Sequence, residues 1–245
     1  MENKPKKISK EEHKEIMWAS ARLMFRAPVS LFLIFMFFIV FFGVVAISSQ
    51  YIMFAIFPIY FSFGLMSAYV ADHGESLSIS RMISNIKYNA VDIFKESTHI
   101  FAIGALLFVV SLLLFPSGED NHTLSVGWFS TDVSASLYFL LCYYIIGGTG
   151  IYSIPLMLFG DLSHSEAGAL SYNANRENSN LSSVKYYMMG MYLLFSMFQP
   201  ASYLLIVLTV LYLPFYHYRV YRAVFFDENG NKELEENYVE ATSVG

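Results

Sequence analysis

Residues 29–47 read VSLFLIFMFFIVFFGVVAI, nineteen positions without a charge, and residues 51–71 read YIMFAIFPIYFSFGLMSAYVA, twenty-one more. A bilayer's hydrocarbon core is about 30 Å thick and takes roughly 20 apolar residues at about 1.5 Å rise each. Two such runs, separated only by Ser48 to Gln50, predict a pair of membrane-spanning helices. Working outward, Ile100 to Phe115 adds sixteen uncharged positions, and Ala135 to Phe159 adds twenty-five, broken only by glycines and Pro155. The last apolar stretch, Tyr186 to Tyr218, is 33 residues, too long for one span and short for two. Gln199-Pro200 falls near its middle, where the missing N–H and the restriction on the preceding residue favour a turn. Starting a fifth helix at Leu181 and letting Lys185 snorkel leaves about 18 residues on each side. The expected fold is all-α: a polytopic membrane protein of six transmembrane helices.

Composition agrees. Of 245 residues, 56% are hydrophobic, 18% aromatic and only 14% charged, where an ordinary domain has about 25% charged. A single Cys excludes a disulfide scaffold and a cysteine-based zinc site, and the apolar content excludes an intrinsically disordered chain. A net charge of -5 excludes a basic nucleic-acid binder.

The basic residues set the orientation. With the amino terminus cytoplasmic, Lys4, Lys6, Lys7, Lys10, Lys14, Arg22 and Arg26 precede the first span. Arg81, Lys87 and Lys95 lie between spans two and three, Arg176 and Lys185 between four and five, and Arg219, Arg222 and Lys232 after the sixth. All 15 Lys and Arg then fall on one side. The opposite side has the turns Ser48 to Gln50 and Gln199-Pro200, and the loop Pro116 to Ser134 with Glu119, Asp120 and Asp132. This pattern obeys the positive-inside rule, and a five-helix arrangement would put Arg219 and Arg222 outside. The expected location is the bacterial inner (plasma) membrane, multi-pass, with both termini cytoplasmic. The first apolar run starts after 28 residues and exceeds the 7–15 residues of a signal-peptide core, which argues against a cleaved leader.

Three parts follow: a basic amphipathic segment over 1–28, a six-helix domain over 29–222, and an acidic flexible tail over 223–245. Ser9-x-x-Glu12 is a capping box that opens a helix over Ser9 to Phe25. From Ser78 to Ser97, Ile79, Met82, Ile83, Ile86, Ala90, Ile93 and Phe94 recur at helical spacing. Arg81, Asn85, Asp92 and Glu96 take other faces. This predicts an interfacial helix that precedes the third span. Ser163 to Ser179 is a small-residue version, with Ala167, Leu170 and Ala174.

A faint internal duplication relates the unit from Pro58 through SISRMISNIKYN to that from Pro155 through Asn178. Each unit passes outside to inside, lays a polar-rich helix on the cytoplasmic face and returns, as parallel repeats do. Asn89 and Asn178 take comparable places. The layout, with Ala27-Pro28, Gly74-Glu75, Glu166-Ala167, Ser171, Asn178 and Tyr218-Arg219-Val220-Tyr221-Arg222, resembles a group of uncharacterised bacterial inner-membrane proteins of six helices in two similar halves. Through them it is similar to the membrane-anchor domain of glycerophosphodiester phosphodiesterases. The resemblance covers about residues 25 to 225 and implies fold and location. It contains no catalytic motif, and no phosphodiesterase domain accompanies it.

The chemistry is sparse. No Asp, Glu, Lys, Arg or His lies at mid-depth in a span, which disfavours a proton-coupled pump. P-loop, HExxH, GxSxG and CxxC are absent from the sequence. Gly64-x-x-x-Ala68 and Gly147-Gly148-Thr149-Gly150 predict close helix packing. Asp72, His73, Asp161 and His164 would form a divalent-metal cluster if the repeat brought them together. The plainer reading, which we adopt, makes Asp72-x-x-Glu75 and Ser163-x-x-Glu166 helix-start signatures. No metal and no cofactor is therefore expected. The expected function is a non-enzymatic scaffold, assembly or accessory component. Its partners would be the lipid bilayer and other membrane proteins or a second copy of itself, with no nucleic acid. A transporter or channel for an apolar or amphipathic solute is the alternative.

Overall fold

The computed structural model describes residues 5–26, 28–47, 52–74, 79–114, 123–126, 129–132, 152–178 and 199–226. These form eight helices and one short hairpin. The helices are α1 (Lys10–Arg26), α2 (Pro28–Ile47), α3 (Ile52–His73), α4 (Ile79–Tyr88), α5 (Ala90–Leu114), α6 (Ser153–Gly160), α7 (His164–Glu177) and α8 (Gln199–Phe225).

Local chemistry sets the helix ends. The Ser9 N–H donates to Glu12 Oε2 at 2.8 Å and the Glu12 N–H donates to Ser9 Oγ at 3.1 Å, closing both halves of the capping box on α1. Pro28 and Pro200 sit in the first turns of α2 and α8, where a missing N–H costs nothing. After α3 the chain turns left-handed at Gly74 (φ 63°), and after α6 at Asp161 (φ 50°). Asn89, between α4 and α5, and Asn178, after α7, are both buried. Each donates its side-chain N–H to the carbonyl four residues back, Asn85 O at 3.2 Å and Ala174 O at 3.1 Å. The two asparagines thus close their helices with the same side-chain hydrogen bond.

α3 is the hub, packing on α1, α2, α4, α5, α6 and α8. Leu65 and Ala68 of α3, Met157 of α6, Ala167 and Ala174 of α7, and Phe215, Tyr218 and Val220 of α8 are fully buried. A Cβ at Gly64 would lie 2.5 and 2.7 Å from Pro214 Cγ and Cβ. The missing side chain is what lets α3 approach the ring of α8 so closely.

The structure corrects four expectations. Between α5 and α6 in the chain, where no strand was expected, lies a two-stranded antiparallel hairpin, β1 (Thr123–Val126) and β2 (Phe129–Asp132), with Thr123 opposite Asp132. The amphipathic stretch is not one separate helix: it breaks at Asn89, and α5 runs without interruption into the apolar residues up to Leu114. Its expected face also divides. Met82 and Ile93 are buried with Asn85, Asn89 and Glu96, while Ile83 and Phe94 are exposed. Spacing had grouped apolar residues that meet different surroundings. Finally, Asp72 closes the last turn of α3 and does not start a helix.

Among the described residues, no single helix is long and apolar enough to cross a membrane. Lys10–Arg26 with Leu31–Phe37 would suffice by length and composition together, but the two are bent by 88°. Leu181 to Phe198, Gly147, Gly148, Gly150, Cys142 and the tail after Phe226 lie outside the described residues.

Candidate functional site

Two buried carboxylates organise the polar interior. The first is Asp72, at the negative end of α3, where an acid needs compensating cations. Arg219 and Arg222, three residues apart on α8, supply them. Arg219 pairs with Asp72 Oδ1, and Arg222 Nη1 donates to Oδ2 at 2.5 Å. The Tyr218 hydroxyl donates to the same Oδ2 at 3.2 Å. The neighbouring His73 turns away, its Nδ1 2.9 Å from Tyr69 O and its ring 4.2 Å from that of Tyr69.

The second carboxylate is Glu96 on α5. Its Oε1 accepts the Ser153 hydroxyl at 2.8 Å, from the first residue of α6. Its Oε2 lies 2.9 Å from Nε2 of His164, the first residue of α7. That nitrogen is buried, and this ion-pair approach to Glu96 is its only polar contact among the described residues. His99, one turn after Glu96, sets its ring edge-on to His164 with centroids 5.9 Å apart. One ligand atom from each of Glu96, His99 and His164 lies within 4.8 Å of the others.

The start of α7 fixes His164. The Ser163 N–H and hydroxyl donate to Glu166 Oε2 at 3.1 and 2.5 Å, which holds the Glu166 carboxyl below its usual range. The His164 N–H donates to Asp92 Oδ1 at 3.2 Å. Asp92 is held low mainly by its bond to Lys95 at 3.0 Å, with the His164 N–H assisting.

A third polar element is a strap over residues 5–9. Asn178 accepts the Ile8 N–H at 2.8 Å and donates to Lys6 O at 2.9 Å, and the Lys6 N–H donates to Val224 O at 2.8 Å. α1 then packs along α8, with His13 Nε2 2.9 Å from the Tyr216 hydroxyl. Burial pushes the His13 imidazole down.

Of the four residues singled out as possible ligands, the structure therefore keeps one in a cluster. Asp72 is taken by two guanidiniums, His73 by α3 itself, and Asp161 is an exposed left-handed cap. His164 instead meets Glu96 and His99. Glu96-x-x-His99 carries a signal, since an i, i+3 pair shares one helix face. Its partner lies 65 residues beyond His99 in the sequence. Comparison of the chain with protein-family models, with curated proteins and with solved structures gives no match.

Proposed function

We propose that this chain is an integral membrane protein that crosses the bilayer six times with both termini cytoplasmic. It works without a catalytic centre, as a scaffold or accessory component that binds other membrane proteins or lipids. The observation that carries this reading is the exposed apolar surface of α2 and α5. On α2, Val29, Phe32 and Val40 are 62, 60 and 61% exposed, and Met36 and Ile39 continue the same stripe. On α5, Phe94, Phe101 and Leu106 are exposed as well. Inside, Ser62, Ser67, Asn85, Asn89 and Glu96 are buried. A contiguous exposed apolar surface marks a partner or a membrane.

Two features extend the reading. α2 carries no charge, and its Leu31–Phe37 part passes for a span only together with α1. α1 exposes Trp18 and Phe25 and meets the Leu31–Phe37 part of α2 at 88°. This is the attitude of an amphipathic helix lying along the interface beside a spanning one. The buried serines donate to carbonyls of their own helix, Ser62 to Pro58 O at 2.7 Å and Ser67 to Phe63 O at 2.9 Å. Helices in lipid satisfy their hydroxyls in this way. The six-helix, two-half layout that the sequence resembles belongs to the same proposal.

Reporter fusions test it. Fusions after Ala174 and Gly230 are expected to report the cytoplasm, and a fusion after Asn121 the other side. A cytoplasmic signal at Asn121, or recovery of the protein from washed cells without detergent, overturns the reading. Solute flux in proteoliposomes that depends on this protein would replace the scaffold by the transporter.

A further inference from the structure

We propose that Glu96, His99 and His164 bind a divalent transition-metal ion that ties α5 to the start of α7. Two imidazoles and one carboxylate, on two elements far apart in sequence, point ligand atoms into one space within 4.8 Å. His164 Nε2 is buried 2.9 Å from Glu96 Oε2 and has no hydrogen-bond partner. An ion seated between them, with bonds of about 2.0–2.2 Å, accepts a lone pair from each.

The donor set selects the ion. Imidazole nitrogen with one carboxylate suits zinc, iron, nickel or manganese, and is poor for calcium or magnesium, which take oxygen ligands. The surroundings supply the outer support that metal sites need. Ser153 holds one oxygen of Glu96 and leaves the other facing His164. Asp92 anchors the backbone of His164. Glu96 is buried, whereas His99 is exposed, so His99 is the ligand free to swing inward and close the remaining distance. Three protein ligands leave a position for water, on the side from which an ion would enter. The role is a cross-link between helices, and it does not depend on the membrane reading.

The test uses the full chain purified in detergent, stripped with a chelator and titrated with Zn²⁺ by calorimetry, with metal content measured after washing. The expected result is one Zn²⁺ per chain, a higher Tm with zinc than without, and no competition from excess Mg²⁺. His99→Ala and His164→Ala are each expected to weaken Zn²⁺ by more than tenfold, and Ser153→Ala by about tenfold through the loosened carboxylate. His99 is exposed, so its alanine variant keeps the metal-free Tm and separates lost binding from lost folding. Folded wild-type protein that takes up no Zn²⁺ overturns the proposal. So does unchanged affinity in either histidine variant.

Discussion

Asp72 and Glu96 are equally hidden, with side chains 8% and 4% exposed, yet they are answered in different ways. Asp72 faces two guanidiniums and a phenol, groups that stay charged or neutral at any physiological pH. Glu96 faces a serine that holds one oxygen and two imidazoles whose ring nitrogens can serve a metal as ligands. The first arrangement is complete and joins α3 to α8. The second keeps lone pairs in reserve. A buried charge with permanent partners is a clamp, and one with exchangeable partners is a site.

The largest expected effect breaks the clamp. Asp72→Asn removes the acceptor charge and leaves Arg219 and Arg222 against each other, at a cost of about 3–5 kcal/mol for a buried pair with one partner removed. Both arginines are partly exposed, which places the loss toward the lower end. Denaturant unfolding in detergent measures it. Glu96→Gln keeps the acceptor for Ser153 and the packing, and is expected to cost about 1–2 kcal/mol without added metal. If the two variants lose the same stability, the distinction between clamp and site fails.

The α3–α8 contact can be attacked without touching charge. Gly64 lies eight residues before Asp72, and Pro214 four before Tyr218, so both belong to the interface that the clamp closes. A Cβ at Gly64 would stand 2.5 Å from a proline ring that cannot rotate away. Gly64→Ala is therefore expected to destabilise by about 1–3 kcal/mol. A neutral result would mean that α3 and α8 slide apart cheaply, and that Asp72 holds them more loosely than its geometry suggests.

Local signals were legible in the sequence and distant ones were not. Ser9-x-x-Glu12 and Ser163-x-x-Glu166 mark the starts of α1 and α7, because a cap is chemistry between neighbours. Pro200 marks the start of α8 for the same reason. The clamp joins residues 147 and 150 apart, so nothing near Asp72 announces Arg219 or Arg222. Periodicity tells which residues share a face and not what that face meets. Apolar residues lie on both sides of α4 and the start of α5, so Ile83 and Phe94 were grouped with Met82 and Ile93. Asn85 and Glu96, which spacing puts on other faces than the apolar residues, are buried beside Met82 and Ile93.

The smallest expected effect belongs to a third carboxylate, exposed where the other two are buried. Glu12 is lowered from 4.5 to about 2, first by the Ser9 N–H and then by Lys6, whose Nζ lies 3.0 Å from Oε1. The unfolded chain takes up this proton at higher pH than the folded one. The contribution of Glu12 is thus fully present above about 4.5 and is lost as pH falls toward about 2. Solvent screens the pair, so the loss should not exceed about 1 kcal/mol, the scale of a helix cap. Hydrogen exchange of the α1 amides reads it locally. Exchange in α1 should accelerate more than in α4, which holds no carboxylate, between about pH 5 and about pH 3, once the intrinsic pH dependence is removed. Glu12→Gln keeps a side chain able to close the capping box but cannot titrate, so the acceleration should vanish. Its persistence in that variant would place the acid sensitivity of α1 elsewhere. It would also leave Glu12 as a surface charge with no share in holding α1 to α8.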